Sequence, residues 1–200
     1  MNRLSTISAS TLLLAACTTM DDPTESEDVA ALSGPTIYHA GSSTAHVLQT
    51  TSAGAGLEID GGAEYGSYAL AMYSGAQLTG DVTADVTITA APGAAFSYIL
   101  RGSGTGYGGK QLRLERLPGS TQLRAAGTTD CGTLASGRAV QVTLAISPAA
   151  HQFDVLIDGA PTACTNVATT LAAPIVGFSM MDASNTGYGG VVRYENASYR

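Results

Sequence analysis

From Arg138 to Gly159 the chain keeps a two-residue period. Val140, Val142, Leu144 and Ile146 alternate with Gln141, Thr143 and Ala145, and Phe153, Val155 and Ile157 then alternate with Asp154, Leu156 and Asp158. That period belongs to strands with one buried side. Between the two runs lies Ser147-Pro148-Ala149-Ala150-His151-Gln152. Its proline cannot donate to a ladder or sit in a central strand, so the pattern predicts an antiparallel hairpin. Asp158-Gly159 turns the chain again. Burying these aliphatic side chains gains on the order of 10–20 kcal/mol, while ordering the segment costs about 1–2 kcal/mol per residue in backbone entropy. The hairpin therefore requires a second sheet to cover it.

The same alternation recurs along the chain. Short pieces at Thr36 to His39, Ala45 to Gln49, Leu57 to Asp60 and Tyr68 to Tyr73 come first. Then Val82, Ala84, Val86 and Ile88 alternate with Thr83, Asp85, Thr87 and Thr89, followed by runs carried by Phe96, Tyr98 and Leu100 and by Leu112 and Leu114. After the hairpin, Pro161 to Thr165 reads as a short edge piece, and Val176, Phe178 and Met180 as inward positions. In the last run Val192 and Tyr194 share one parity and Ala197 and Tyr199 the other, so a bulge at Glu195-Asn196 is needed to bring all four to one face. About twelve strands with turns every eight to twelve residues and no long helical periodicity predict an all-β, two-sheet antiparallel β-sandwich. Two hundred residues accommodate one such domain after a shorter leader.

The amino terminus has Arg3 as its sole early charge, then apolar or small residues to Ala16, and Leu14-Ala15-Ala16-Cys17. This resembles the lipobox of bacterial lipoproteins, which implies cleavage before Cys17 and acylation of that cysteine. An ordinary signal peptide is the other reading; a spanning anchor would need about 20 apolar residues. Thr18 to Gly34 follows with Asp21, Asp22, Glu25, Glu27 and Asp28, no base and little apolar surface, which predicts a flexible acidic tether. The expected organisation is a lipoprotein signal peptide at 1–16, the tether at 17–34 and the sandwich at 35–200, in the cell envelope. Thr18 does not resemble an inner-membrane retention signal, which points to the outer membrane, facing either the periplasm or the surface.

From Pro35 onward eleven acids face eight basic side chains. This balance leaves no broad basic patch, so nucleic acid is not expected as a partner. Cys131 and Cys164 bracket the hairpin, and in an exported protein they are expected to form a disulfide worth roughly 3–4 kcal/mol in chain entropy. Two buried thiols are the alternative. No metal-ligand spacing surrounds them, and His39, His46 and His151 are scattered. Neither a metal nor a cofactor is predicted.

Val142-Thr143-Leu144-Ala145-Ile146, Phe153-Asp154-Val155-Leu156-Ile157-Asp158-Gly159, Val176-Gly177-Phe178 and Gly190-Val191-Val192-Arg193-Tyr194-Glu195-Asn196 resemble the concanavalin A-like jelly roll, in particular its laminin G-like and keto-disaccharide-hydrolase-like branches. The resemblance runs from Leu78 to the end. It implies a fold that hosts lectins, glycanases and adhesion modules alike. The expected function is a lipid-anchored, non-catalytic envelope module with carbohydrate as the leading ligand class and a glycan or envelope component as partner. A glycoside hydrolase-like enzyme and a structural envelope lipoprotein are the alternatives.

Three groups of residues are site candidates. Glu58-Ile59-Asp60-Gly61-Gly62-Ala63-Glu64 resembles the acidic signature of jelly-roll glucanases with one residue too many between acids, and an edge strand with solvated acids fits it better. Thr105-Gly106-Tyr107-Gly108-Gly109 is repeated as Thr186-Gly187-Tyr188-Gly189-Gly190. Tyr107 and Tyr188 offer flat faces for sugar stacking, provided the two loops lie side by side; glycine-rich turns with a packed tyrosine read the same way. Arg101, Arg113, Glu115 and Arg193 are expected to form a polar face where arginines could clamp carboxylates or phosphates, with ordinary surface ion pairs as the alternative. Asp182 and Asn185 supply too few oxygens for calcium. No catalytic residue is assigned.

Overall fold

The structure, a computed structural model, describes residues 31–51, 54–62, 64–103, 110–184 and 190–200. The strands are β1 (Leu32–Ala40), β2 (Thr44–Thr51), β3 (Gly54–Asp60), β4 (Ser67–Leu78), β5 (Val82–Ala90), β6 (Phe96–Gly102), β7 (Gln111–Arg116) and β8 (Gln122–Ala125). They continue with β9 (Thr129–Thr133), β10 (Ala139–Ser147), β11 (Gln152–Ile157), β12 (Ala160–Pro161), β13 (Val167–Ala168), β14 (Ile175–Ser184) and β15 (Val191–Tyr199). No helix occurs among the described residues.

Two antiparallel sheets result. One has seven strands in the order β1-β4-β14-β6-β7-β8-β9; the other has the order β12-β11-β10-β5-β15-β3-β2, with β13 added beside β11. The hairpin expected around Pro148 is β10 and β11, with Val142 opposite Ile157 and Ser147 opposite Gln152. Val140, Val142, Leu144, Ile146, Phe153 and Val155 are all buried. Its cover is the seven-stranded sheet, whose inner face supplies Tyr73, Phe96, Tyr98, Leu100, Leu112, Leu114, Phe178 and Met180. Phe178 stands at the centre of an aromatic cluster, 5.1 Å from Tyr73, 5.6 Å from Tyr98 and 6.1 Å from Tyr199 between ring centroids.

The bulge in β15 is present. Pairing with β3 shifts between Tyr194 and Ala197, and pairing with β5 shifts between Glu195 and Ser198. Asn196 takes a φ of 54° there, a left-handed conformation that asparagine tolerates better than most residues. Val192, Tyr194, Ala197 and Tyr199 consequently all lie in the core.

Other boundaries move. β1 starts at Leu32, three residues before Pro35, because Leu32 pairs with Gly75 and packs on the core. The piece expected over Pro161 to Thr165 is shorter, β12 spanning only Ala160–Pro161. The disulfide between Cys131 and Cys164 is formed. It ties β9, at the edge of one sheet, to the segment whose Cys164 carbonyl accepts from Val155 N–H in the other.

Candidate functional site

The two outer faces of the sandwich differ in chemistry. On the eight-stranded sheet, Thr83, Asp85, Thr87, Thr89, Gln141, Thr143, Arg193 and Glu195 alternate with core residues. Asp85 accepts from Thr143 Oγ1 at 2.5 Å and from Arg200 Nη1 at 2.9 Å. This is a solvated polar surface with its charges matched.

The outer face of the seven-stranded sheet is graded from apolar to charged. Register aligns Tyr38, Leu70, Met181, Ser97, Glu115, Arg124 and Asp130 in one row across all seven strands of the sheet. Strands lie about 4.8 Å apart, so the row is roughly 29 Å long. The adjacent row runs Thr36, Met72, Ser179, Ile99 and Arg113. The middle of this face is low: Leu70, Ser97, Ile99 and Ser179 are only 6%, 8%, 1% and 2% exposed.

At the apolar end, Tyr38, Tyr68, Leu70 and Met181 line a cleft of about 360 Å³. Tyr38 and Tyr68 are 49% and 37% exposed, so their rings are available to a ligand. At the charged end, Gln111, Arg113, Glu115, Ala126, Gly127 and Thr170 line a dish of about 420 Å³. Arg113 Nη1 stands 3.6 Å from Glu115 Oε2. Gln122 accepts from Arg124 Nε and Nη2 at 3.0 and 2.9 Å and donates to Asp130 Oδ2 at 2.6 Å. The Gly132 N–H, joined by Gln122, holds the Asp130 carboxyl below the usual carboxylate range.

Buried polar groups are bonded beneath this sheet, one of them to a residue of the apolar cleft. The Tyr194 hydroxyl crosses the core to donate to the Met181 carbonyl at 2.8 Å, with the Ser97 carbonyl at 3.3 Å. Arg116, only 1% exposed, donates to the carbonyls of Ala94 and Ala91 at 2.8 and 2.7 Å and to Ser136 Oγ at 3.0 Å. Its guanidinium lies 5.4 Å from the centre of the Phe96 ring. Asp182 is fully buried beneath Gly61, where an added Cβ would come within 2.1 Å of Oδ2. Burial pushes the Tyr194 hydroxyl well up, reinforced by the Asp182 charge, so it stays a donor.

The sequence candidates fare unequally. Arg101 and Arg113 share the outer face of the seven-stranded sheet, but Arg193 lies on the opposite side of the sandwich, on β15, with Nε 3.4 Å from Glu195 Oε1. The single arginine face is therefore corrected to two: alternation along a strand assigns in and out, not which sheet. Arg101 is half-buried and engaged within the fold, its Nη2 donating to the Tyr73 carbonyl and to Ser74 Oγ at 3.1 Å. It reaches them across Gly177, whose position offers no room for a Cβ. Tyr107 and Tyr188 lie outside the described residues. The residues that bracket their loops sit at opposite ends of β14, since Ile175 pairs with Gly102 and Ser184 pairs with Ser67. These brackets give no support to one site built from both repeats. Asp60 Oδ1 accepts from Gly62 N at 3.1 Å in a local turn, and Glu58 pairs opposite Arg193, both remote from the apolar cleft's face. Among the described residues no three potential metal ligands cluster.

Tyr38 and Tyr68 were not singled out in the sequence. Their only signal was an aromatic at an outward position of a short run, which became a site through the pairing of β1 with β4.

No protein-family model matches the chain, and no curated protein matches it. Solved structures similar to it include a sialidase, at 10% identity and a TM-score of 0.58, over 86% of this chain and 18% of the sialidase. The chain thus spans less than a fifth of that protein. An endo-beta-1,4-glucuronan lyase from the fungus Trichoderma reesei is similar at 13% identity and a TM-score of 0.54, over 82% of this chain and 89% of the lyase. The carbohydrate recognition domain of Emp47p is similar at 10% identity and a TM-score of 0.53, over 88% of this chain and 98% of the domain. At these identities the likeness establishes a shared β-sandwich fold.

Proposed function

We propose that the protein is a lipid-anchored envelope module that binds a saccharide on the outer face of its seven-stranded sheet, without catalysis. The observation that carries this reading is the cleft of Tyr38, Tyr68, Leu70 and Met181, continuous in register with the polar row ending at Glu115 and Arg124. A sugar ring presents an apolar face that stacks on an aromatic side chain and hydroxyls that need donors and acceptors at its rim. Both are arranged here along one line. The sandwich is shared with a carbohydrate recognition domain and with two carbohydrate-active enzymes, which supports the ligand class.

Carboxylate placement favours binding over hydrolysis. Glycosidases need two carboxyl groups across the bond, about 5–5.5 Å apart when retaining and about 6.5–9.5 Å when inverting, one of them kept protonated as general acid. On this face the described carboxylates are Glu115, beside Arg113, and Asp130, two strands away and bonded to Gly132 and Gln122. The hydrogen bonds that hold Asp130 below the usual carboxylate range disfavour the general-acid role. Attachment through Cys17, with residues 18–31 as tether, would hold the module at the outer membrane. Two acyl signals suffice for stable anchoring where one gives marginal binding.

The test is glycan-array binding by the full chain carrying Cys17→Ser, which removes the acylation site. Binding to at least one saccharide class, lost in Tyr68→Ala with folding intact, is expected. A folded protein that binds no glycan overturns the reading. Labelling of the wild-type chain with a palmitate analogue, absent in Cys17→Ser, tests the anchor separately.

A further inference from the structure

The seam where the two sheets meet at β1 and β2 is uncharged. From Val29 to Leu57 the sequence contains no Asp, Glu, Lys or Arg. Among the described residues β1 and β2 are the terminal strands of their respective sheets, so within these residues each presents one unpaired backbone edge. Thr36, Ile37, Tyr38 and His39 are consecutive exposed residues on β1, and Val47 and Leu48 face water beside them on β2. Large apolar side chains on an uncharged edge are the combination that monomeric sheet proteins avoid.

The two edges are not equally usable. β2 is interrupted by a register shift between Val47 and Gln49, and β1 by one between Ser33 and Thr36, next to Pro35. From Thr36 to Ala40 the pairing of β1 with β4 is regular. That leaves one undistorted five-residue edge with exposed apolar flanks.

We propose that this edge pairs with the same edge of a second copy of the chain, antiparallel about a two-fold axis near Tyr38. A neutral surface can meet itself without like-charge repulsion, which an isologous contact otherwise incurs. A second strand also satisfies the free N–H and C=O groups of β1, which a hydrocarbon surface could not do. The axis stands perpendicular to the sheet, so the outer faces of both seven-stranded sheets lie on the same side. Tyr38 of one copy then faces Tyr38 of the other, and the two clefts join into one aromatic platform. The dimer stands independently of the saccharide reading; only this doubled platform rests on it. A five-residue ladder flanked by four apolar side chains, Ile37, Tyr38, Val47 and Leu48, falls below the ~800 Å² per partner of a standard interface, which places the dimer in the weak class.

Sedimentation velocity on the full chain with Cys17→Ser, over a concentration series without glycan, tests this. A reversible monomer–dimer equilibrium is expected, weakened at least tenfold by Ile37→Lys, whose side chain lies outside the cleft. Tyr38→Cys is expected to form an intermolecular disulfide in the oxidising compartment, and Thr87→Cys, on the far sheet, is not. A chain that stays monomeric at all concentrations overturns the proposal, as does a dimer unaffected by Ile37→Lys. Flotation of the monomer with phosphatidylcholine vesicles, lost in Ile37→Lys, also overturns it and assigns the seam to lipid. Glycan binding retained by monomeric Ile37→Lys, with no dimer in the parent, would sink this proposal and leave the saccharide reading standing.

Discussion

The Tyr194 hydroxyl donates to the Met181 carbonyl across the core, at 2.8 Å. One residue belongs to the last strand of the eight-stranded sheet, the other to the cleft of the seven-stranded sheet. The bond links a buried position to the strand that presents the Met181 side chain outward. Tyr194→Phe keeps the ring and its edge contact with Phe96 but removes the donor. It is expected to destabilise the protein by about 1 kcal/mol, the net worth of such a bond, measured by urea unfolding.

The β15 bulge gives a sharper test of the architecture. Deleting Asn196 removes the extra residue and leaves Val192, Tyr194, Ala197 and Tyr199 in unbroken alternation, so all four keep the core face and a cooperatively folding protein is expected. Deleting Ser198 instead sets Tyr199 directly after Ala197, turns its ring to the outer face and loses the bond from Tyr199 Oη to the Ala76 carbonyl at 2.7 Å. Loss of cooperative thermal unfolding is expected for that variant. Asn196→Gly, by contrast, is expected to change stability by less than about 1 kcal/mol, because glycine adopts a positive φ freely.

Gly177→Ala should be costly. Gly177 has a φ of +151°, and an added Cβ would lie 2.2 Å from the Tyr73 carbonyl oxygen and 3.0 Å from Arg101 Nη2. The central pairing of β14 with β4 would have to shift, with an expected loss of about 2–4 kcal/mol. Urea unfolding checks it, with Gly80→Ala, which meets nothing within 4 Å, as the control.

Stability should fall below about pH 4 as carboxylates protonate. The Gln141 N–H, joined by Arg138, holds Asp158 below its ordinary value, and Gly132 N–H and Gln122 do the same for Asp130. A depressed folded-state pKa contributes stability that is present above the unfolded value and lost as pH falls through the folded value. The double variant Asp130→Asn, Asp158→Asn is expected to show a flatter decline of unfolding free energy on the acid side, with no change in slope above pH 5.

The strands were legible where one face is solvated. β5 and β10 alternate cleanly, and the parity change in β15 announced its own bulge. β6 was less transparent: Ile99 is buried on the outer face as deeply as Tyr98 is within the core, because the outer face is itself low at its centre. The sequence could not show that Arg193 and Arg113 lie on different sheets, since that depends on strand order. Nor could it pair Tyr38 and Tyr68 with Met181, more than a hundred residues away, since that cleft arises from the registers of β1 with β4 and of β4 with β14. Arg116 and Asp182 share the parity of the core residues Leu112, Leu114, Phe178 and Met180, but their charge hid their burial.

The most direct test of the saccharide reading is a chemical-shift map of the full chain with Cys17→Ser, titrated with a glycan that the array identifies. The largest shifts are expected at Tyr38, Tyr68, Leu70 and Met181, trailing along the row towards Glu115, with saturable binding that Tyr68→Ala weakens at least tenfold. Shifts centred on Arg193, Glu195 and Thr87, or binding undiminished in Tyr68→Ala, would contradict it.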